Sequence, residues 1–409
     1  MKFYIETFGC KVNSYESNFI IESLLEDGFF LSDKMNTADI VIINTCTVTN
    51  TADNKCKKYI RRVKRENQNA ILVVMGCAVQ YNYDTYKDFN IDILLGNRYK
   101  SKVPDLLKNY INNHEKYEYH DNNRDISFED MEINDFDHTR AFIKIQDGCD
   151  EFCAFCIIPF VRGKKRCKEF NKIIDEAKKL VDKGHKEIVL TGILTGSYMD
   201  NGKDLVDVID ELSKINELKR IRLSSISISD ITDKFLNMLS MNNKFCDHLH
   251  ISLQSGSDEI LKKMKRKYTS EEYLNKINDI RNIRPNISIT TDIIVGFPEE
   301  TYDNFLETYE FAKRVKFSKI HVFPYSKRDG TLASRMHEIS PKDKTDRTRK
   351  LLELSDILEH SYNKNFNNTY QDVLIEEIKN GKSIGHTSNY LRVEIDEELT
   401  KNEIYNVKI

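Results

Sequence analysis

The stretch AFIKIQDGCDEFCAFC, residues 141–156, joins an apolar run to a loop that is rich in cysteine. Residues 141–145 are predicted to form a buried strand, and Cys149, Cys153 and Cys156 follow it with the spacing C-x3-C-x2-C. Three thiolates after a strand suit a cubane iron–sulfur cluster whose fourth iron stays open to a small chelating ligand. A zinc site would need a closed fourth ligand, for which Cys167 is the candidate. No C-x2-C or H-x3-H pair follows, so the spacing favours the iron–sulfur interpretation.

Strand-like and helical stretches alternate on the C-terminal side of this loop. Further strands are predicted at 187–191, 220–224, 248–252, 288–295 and 318–323. Helices are predicted between them, near 172–184, 204–214, 231–240, 257–265, 271–284 and 301–315. Six βα units with right-handed crossovers predict a partial (βα)6 barrel, two units short of the eight-fold barrel.

The same alternation precedes the loop and predicts a second α/β unit. Strands are expected at 2–6, 39–43, 71–75 and 91–95. Short apolar strands between helices are typical of a doubly wound parallel sheet. We therefore divide the chain into an N-terminal domain (1–111), a polar linker or covering segment (112–138), the barrel domain with a long charged helix from Pro341 (139–367) and a small all-β module (368–409).

A second set of cysteines is scattered along the N-terminal domain. Cys10, Cys46 and Cys77 each lie one to three residues beyond the end of a predicted strand. The C-terminal ends of parallel strands share one edge of a sheet, where α/β sheets bind ligands, so the three thiols are expected to converge there. Gly9 and Gly76 would let the backbone approach a bulky inorganic group. The alternative is that they are small buried residues in loops.

Composition restricts the environment of the chain. Nine cysteines in a long chain without a signal peptide indicate metal binding or catalysis more than disulfides, and the protein is expected to be cytoplasmic. No run of 18 apolar residues exists, so no membrane span is expected. The formal net charge is -3, which gives no global field for nucleic acid, although the basic runs at 55–65 and 262–267 permit an RNA surface.

These motifs resemble a known family across nearly the whole chain. GCDEFCAFC resembles the cluster loop of radical S-adenosylmethionine (SAM) enzymes, and the scattered cysteines are similar to those of the methylthiotransferase branch. Supporting stretches are IPFVRGKKR, EIVLTGILTGSY, HLHISLQSGSD, TDIIVGFPEE and HVFPYSKRDGT. GCKVNSYES and HVFPYS resemble the enzymes that act on tRNA threonylcarbamoyladenosine, and the tail with GHTSNYLRVEI resembles the TRAM RNA-binding module.

The resemblance implies a reaction and its cofactors. It converts N6-threonylcarbamoyladenosine, beside the tRNA anticodon, to its 2-methylthio derivative. One 4Fe-4S cluster, on Cys149, Cys153 and Cys156, would bind SAM and reduce it to the radical that abstracts the aromatic C–H hydrogen. A second 4Fe-4S cluster on Cys10, Cys46 and Cys77 would carry the inserted sulfur, and a second SAM would donate the methyl group. An electron donor protein and a sulfur source are the further partners expected.

SAM contacts are proposed from position, because barrel-type sites lie at the C-terminal strand ends. The candidates are Phe155, Thr191, Gly192, Ser225, Gln254, Ser255 and Gly296. The two glycines could equally serve packing or turns. His248 and His250 share one face of a strand and could reach the lumen, but a core or surface role is the preferred interpretation.

RNA contacts are expected from basic and aromatic residues. The candidates are Arg162, Arg166, Lys382, His386, Asn389, Tyr390 and Arg392. Two positions depart from the family pattern: Ser227-Ile228 replaces the usual Glu-Pro, and Cys167-Lys168 replaces the usual Ser-Arg. The alternatives to the main hypothesis are a methylthiotransferase for another tRNA nucleoside or a ribosomal protein, and a non-enzymatic iron–sulfur RNA-binding or electron-transfer protein.

Overall fold

The computed structural model describes residues 1–136 and 138–409, and Asp137 of the predicted linker lies outside the described residues. The N-terminal unit is a parallel sheet with the strand order β2-β1-β3-β4-β5-β6. Its strands are β1 (Lys2–Thr7), β2 (Phe30–Leu31), β3 (Ile40–Thr45), β4 (Ile71–Gly76), β5 (Ile93–Leu95) and β6 (Tyr117–Tyr119). Its helices are α1 (Lys11–Glu26), α2 (Asn50–Glu66), α3 (Cys77–Tyr81), α4 (Tyr83–Lys87) and α5 (Val103–Asn113).

Helices cover both faces of this sheet, which explains why β3 is apolar along its length. Val41 and Ile43 pack into one hydrophobic cluster, whereas Ile40 and Ile42 pack into another on the opposite face. The doubly wound parallel sheet is therefore confirmed. β2 and β6 were not predicted, because two- and three-residue edge strands leave almost no periodic signal.

The predicted linker does two different things. Its beginning, Tyr117–Tyr119, extends the N-terminal sheet by pairing with β5. Further along, Met131, Ile133 and Phe136 are buried in the core of the central unit. The Met131 carbonyl accepts hydrogen bonds from the Tyr15 hydroxyl at 2.5 Å and from Lys168 Nζ at 2.8 Å. Most of the segment thus covers the boundary between the two α/β units.

The central unit alternates strands and helices along the chain. Its strands are β7 (Arg140–Lys144), β8 (Gln146–Asp147), β9 (Arg166–Cys167), β10 (Glu187–Thr191), β11 (Met199–Asp200), β12 (Lys203–Asp204), β13 (Arg220–Leu223), β14 (His248–His250), β15 (Ser288–Val295) and β16 (Lys319–Pro324). Its helices are α6 (Ile158–Val161), α7 (Phe170–Asp182), α8 (Leu205–Ser213), α9 (Asp233–Met241), α10 (Asp258–Lys263), α11 (Ser270–Ile283), α12 (Tyr302–Val315) and α13 (Pro341–Lys364).

The parallel strands of this unit form a partial barrel. β7, β10 and β13 make one sheet, β14, β15 and β16 make another, and parallel bridges from Ile221 to Phe245 and from Ile226 to Ile251 join them. The surrounding helices bury a stripe with helical spacing, as α7 does with Ile173, Ala177 and Leu180. The predicted (βα)6 arrangement is confirmed.

The C-terminal module is an antiparallel sheet with the order β19-β18-β17-β20. Its strands are β17 (Tyr370–Lys379), β18 (Lys382–Thr387), β19 (Arg392–Ile395) and β20 (Ile404–Lys408). The module docks at the beginning of the barrel strands. Arg220, the first residue of β13, donates to the carbonyls of Asp372 at 2.6 Å and His386 at 2.9 Å. Within the described residues, no helix is long and apolar enough to cross a membrane.

Candidate functional site

The cluster loop begins at a glycine that no other residue could replace without movement. Gly148 has a φ of +70°, and a Cβ atom there would overlap the carbonyl of Lys164. The Gln146 side chain supports the same turn by donating to the carbonyls of Asp147 and Gly148 at 2.9 and 2.7 Å. The loop is therefore held in one course immediately after β8.

The three thiols of this loop lie close enough to interact electrostatically. Burial, together with the neighbouring Cys153 and Cys149, raises the pKa of Cys156 to about 12, against a backbone hydrogen bond that lowers it. Cys153 Sγ accepts a hydrogen bond from Arg266 Nη1 at 3.3 Å. Soft thiolate donors with a cationic neighbour are what an iron–sulfur cluster requires, so the residues fit this group.

The second set of thiols also converges. Cys10 caps α1, Cys46 follows β3, and Cys77 opens α3. Burial raises the pKa of Cys46 to about 11, and both Cys77 and Cys10 contribute to the rise. The Cβ position of Gly9 (φ +112°) lies 3.0 Å from Cys46 Sγ, so a larger residue there would press on the thiol. The structure thus brings three distant cysteines to one edge of the sheet.

Cys77 has its own polar neighbour. Asn97 Nδ2 donates to Cys77 Sγ at 3.2 Å and to the Val161 carbonyl at 2.8 Å. In the described part of the chain, no group of three or more His, Cys, Asp or Glu side chains is arranged around a single metal ion. A cubane cluster does not require the thiolates to surround one ion, since each thiolate binds a different iron of the cluster.

Arg162 connects the two thiol sets. It is 2% exposed, and Nη1 donates to Glu16 Oε1 at 3.1 Å and to Asp147 Oδ1 at 3.0 Å, while Nη2 donates to Asn13 Oδ1 at 2.6 Å. Burial opposes its charge, but Cys77, Glu16 and Asp147 keep the pKa of Arg162 well above its usual range. Asn13 and Glu16 belong to the helix that Cys10 caps, whereas Asp147 precedes the cluster loop.

Arg162 and Arg166 were grouped with the RNA residues as candidates for phosphate or carboxylate contact, and the structure shows them bound to carboxylates of the protein. Arg166 Nη2 donates to Asp147 Oδ2 at 2.8 Å, and its Nη1 donates to the Arg162 carbonyl at 2.6 Å. Both guanidinium groups are buried, so neither forms a surface for phosphate. Their role is to balance the charges of Glu16 and Asp147, whose buried carboxylates would otherwise be unpaired. Basic residues after a cluster loop gave no local signal that distinguishes the two roles.

The predicted SAM residues lie at the C-terminal strand ends, as expected, but their environments differ. Ser255 is buried and hydrogen-bonds Thr308 Oγ1 at 3.0 Å, and Thr191 is buried too. Gly296 (φ +69°) packs under α13, where its Cβ position lies 2.8 Å from Lys344 Cγ. Packing alone therefore accounts for this glycine.

The remaining predicted SAM residues lie beside the cluster loop or at the ends of the barrel strands. Gly192 packs on Gln146, and Ser225 is half-buried after β13. Gln254 adopts a φ of +71° and continues the sheet by donating its backbone N–H to the Asp292 carbonyl at 2.8 Å. Phe155 packs beside a cluster that includes Ile260 and Phe297. SAM contacts at these positions stay predictions.

Sequence reasoning missed a carboxylate near the cluster loop. Asp230 Oδ2 is buried without a hydrogen-bond partner among the described residues. Burial raises the pKa of Asp230 to about 6, and the nearby Glu151 of the cluster loop adds to the rise. The family pattern has glutamate at the position of Ser227, and Asp230 lies three residues after it. The chain therefore places a carboxylate in this region from a different position.

A cavity of about 490 Å³ lies inside the partial barrel. His248 and His250 line it, and both hydrogen-bond Thr290 Oγ1, at 3.1 and 2.9 Å. Both histidines therefore reach the lumen, and His248 is at the same time buried, as a core role requires. Lys11 lines the same cavity from the N-terminal domain, directly after Cys10.

The RNA residues predicted in the tail have several environments. Arg392 is exposed, whereas Lys382 is half-buried and paired with Glu394 at 2.8 Å. Asn389 is buried and donates to the Tyr362 hydroxyl at 3.2 Å. Tyr390 faces the barrel, so its ring is not free to stack on a base as expected.

The other cysteines are ordinary thiols by their contacts. Cys167 Sγ accepts from the Met199 N–H at 3.4 Å, and Cys246 is buried beside Arg222. Cys56 Sγ donates to the Cys46 carbonyl at 3.8 Å and so supports the second thiol set from behind.

Comparison with family models identifies two regions. Residues 143–312 match the radical SAM superfamily, and residues 2–96 match the uncharacterized protein family UPF0004. The chain also resembles the radical SAM methyltransferase TsrM from Kitasatospora setae, with a TM-score of 0.60 at 14% identity over 81% of this chain and 77% of that chain. At this identity, the likeness supports the fold alone.

Two curated relatives cover nearly the whole chain. The threonylcarbamoyladenosine tRNA methylthiotransferase MtaB of Bacillus subtilis is 40% identical over 95% of this chain and 88% of its own. The tRNA-2-methylthio-N(6)-dimethylallyladenosine synthase of Natranaerobius thermophilus is 35% identical over 100% of this chain and 94% of its own. The chain therefore belongs to the radical SAM tRNA methylthiotransferase family.

Proposed function

We propose that this enzyme converts N6-threonylcarbamoyladenosine in tRNA to its 2-methylthio derivative. The observation that carries the proposal is the pair of thiol sets joined by the Arg162 network, in a chain 40% identical to a threonylcarbamoyladenosine methylthiotransferase. A radical step needs one cluster to bind SAM, whereas sulfur insertion needs a second sulfur-bearing group nearby. Cys149, Cys153 and Cys156 serve the first role, and Cys10, Cys46 and Cys77 the second.

The cofactors supply the radical, the sulfur and the methyl group, while the protein positions them. Arg266 and Asn97 donate hydrogen bonds to one thiol of each set, which stabilises the thiolate forms. Arg162 holds α1 against the segment before the cluster loop, so the two thiol sets keep a constant separation. Cys46 and Cys77 are buried and the three thiols of the cluster loop are partly buried, which limits the access of water to a reactive radical, whereas Cys10 is exposed.

The other partners follow from the same chemistry. We propose that the antiparallel C-terminal sheet is a TRAM-like module that binds tRNA through its exposed surface, including Arg392 and Lys382. The reaction consumes electrons and sulfur, so an electron donor protein and a sulfur source belong to it. A tRNA substrate is consistent with a cytoplasmic enzyme.

A second candidate substrate comes from the comparisons, since a relative at 35% identity is named for dimethylallyladenosine. Expression of this chain in a bacterial strain that lacks its own methylthiotransferases tests both substrates. Mass spectrometry of tRNA nucleosides should detect methylthio-threonylcarbamoyladenosine and no methylthio-dimethylallyladenosine. The reverse pattern would transfer the proposal to the other nucleoside, and neither product, from soluble iron-loaded protein, would refute both.

A further inference from the structure

The cavity inside the barrel collects positive charge from three parts of the chain. Lys11 comes from the N-terminal domain, Arg222 from β13, and Arg392 from the C-terminal module. Its volume of about 490 Å³ falls within the range of about 300 to 1,000 Å³ that is usual for small-ligand sites. The cavity therefore has the size of a nucleoside site and a cationic wall.

Most charges around the cavity are already paired within the protein. Arg222 Nε binds Glu187 Oε1 at 2.6 Å, and Lys319 Nζ binds Glu359 Oε2 at 2.6 Å. His250 Nε2 lies 3.2 Å from Asp292 Oδ2. Glu187, Glu359 and Asp292 are thus occupied, and they leave no spare carboxylate for a further cation.

Two cations that line the cavity form neither an ion pair nor a side-chain hydrogen bond with any described residue: Arg392, which is exposed to solvent, and Lys11, which is half-buried. Lys11 is therefore the unpaired cation that lacks full solvation. Its electrostatic neighbours are two further cations, Arg140 and Arg222, together with the phenol of Tyr390 and the thiol of Cys10. A half-buried ammonium among cations is costly unless an anion joins it.

A second unpartnered group lines the same cavity. His248 is 6% exposed, and its Nδ1 has no hydrogen-bond partner among the described residues. Its Nε2 is bound to Thr290 Oγ1 at 3.1 Å, so the ring is fixed. The cavity thus offers a cation and a neutral ring nitrogen to a ligand with an anionic and a neutral polar group.

Lys11 also lines an adjoining cavity of about 550 Å³ that includes Gly9, Cys10 and Arg140. A ligand held by Lys11 therefore lies beside the second thiol set. At the other end, the barrel cavity reaches Ser224, next to the strand ends where SAM is expected. The two cavities together thus extend from Cys10 of the second thiol set to the strand ends where SAM is expected, and a reacting nucleoside must reach both.

We propose that Lys11 binds the threonyl carboxylate of the substrate and thereby selects threonylcarbamoyladenosine over adenosines whose N6 group is uncharged. This rests on the proposed function and adds the group that reads the substrate. The N6 side chain of threonylcarbamoyladenosine ends in a carboxylate, and its urea and hydroxyl groups supply the neutral polar atoms for His248. A dimethylallyl group offers neither.

Anaerobic binding to the fully iron-loaded protein tests the proposal, with fluorescence anisotropy of labelled anticodon stem-loops. The RNAs carry threonylcarbamoyladenosine, its threonyl methyl ester or unmodified adenosine. The unaltered protein should bind the first about tenfold more tightly than the other two, the worth of one charged hydrogen bond. Equal binding of the acid and the ester would overturn the proposal without any variant.

Lys11→Met should remove this preference, so that the acid, the ester and the unmodified RNA bind equally, whereas Lys11→Arg should retain it. Lys203→Met, at an exposed position on β12, controls for loss of one positive charge. Iron content measured on each variant shows that the thiol set beside Lys11 is intact. If Lys11→Met still prefers the threonylcarbamoyladenosine RNA, the inference about Lys11 is refuted, whether or not turnover continues. If the unaltered protein turns over none of the RNAs, the proposed function is refuted instead.

Discussion

At the residue scale, the two thiol sets differ in how the protein balances their charge. Cys153 has a direct guanidinium donor in Arg266, whereas Cys77 has an amide donor in Asn97 and a buried arginine nearby. The expected consequence is that each set retains its own cluster independently of the other, because their first polar neighbours are different residues.

Replacement of whole thiol sets should separate the two roles. Changing Cys10, Cys46 and Cys77 together to alanine should remove about half of the iron and abolish the methylthio product, while SAM is still cleaved to deoxyadenosine. Changing Cys149, Cys153 and Cys156 instead should also remove about half of the iron but abolish deoxyadenosine. Iron analysis and chromatography measure both. Unchanged iron in the first variant would exclude the second cluster.

Asp230 predicts a pH dependence of stability. Its pKa in the folded protein is about 6, above the ordinary 3.8, so the folded state retains the proton longer than the unfolded chain. Stability is therefore unaffected below pH 4, falls between about pH 4 and 6, and is reduced above pH 6. Asp230→Asn should raise the free energy of unfolding by roughly 3 kcal/mol at pH 8 and by about half of that at pH 5.

Urea denaturation at the two pH values measures this difference. Asp33→Asn, at an exposed loop position, is the control and should change stability little at either pH. An equal gain for Asp230→Asn at pH 5 and pH 8 would show that the carboxylate is not destabilised by burial.

At the element scale, the course of the cluster loop depends on its glycine. Gly148 and Gly202 have similar left-handed φ angles of +70° and +80°, but only Gly148 has a neighbour that a Cβ atom would overlap. The two positions thus separate backbone strain from steric exclusion, which act together at Gly148.

Gly202→Ala should lower the free energy of unfolding by only about 1 to 2 kcal/mol, the cost of a left-handed alanine. Gly148→Ala must also displace the Lys164 backbone and should lose most of the iron bound by the loop. Thermal unfolding and iron content after anaerobic reconstitution compare the two. Equal iron contents would mean that the loop accommodates a side chain.

At the scale of the whole molecule, one aromatic ring fastens the C-terminal module to the barrel. Tyr390 stacks between His248 and His386, with ring centroids 4.8 and 4.9 Å away, and its hydroxyl accepts from Arg140 Nη1 at 2.9 Å. The ring also lies 4.8 Å from the Arg222 guanidinium. The module therefore closes the barrel cavity at the start of the strands.

Tyr390→Ala should loosen this closure by about 3 kcal/mol, as expected for a large aromatic that is truncated. Limited proteolysis in the segment 365–369, between α13 and β17, should become at least tenfold faster. Tyr390→Phe keeps the stacked ring and should behave almost as the unaltered protein. Equal cleavage rates for all three would show that the module is held elsewhere.

The order of elements could be predicted from the sequence because apolar runs are visible locally, and the grouping of six cysteines into two proposed ligand sets came from the sequence as well. Strand residues such as Ile188 and Val189 form short apolar runs, and the spacing of Cys149, Cys153 and Cys156 is visible within one loop. The convergence of Cys10, Cys46 and Cys77 also followed, since parallel strands end at a common edge. Family resemblance then indicated the chemistry.

Tertiary structure alone decided which polar side chains face the interior. Arginine and tyrosine are residue types that often contact RNA. Arg162, however, pairs with Glu16, 146 positions earlier, and Tyr390 stacks on His248. Lys11 likewise has no distinguishing feature in the sequence. Only the structure shows that no carboxylate of the described residues pairs with it. Burial and pairing depend on partners distant along the chain, and a local pattern carries no record of which partner a charge will meet.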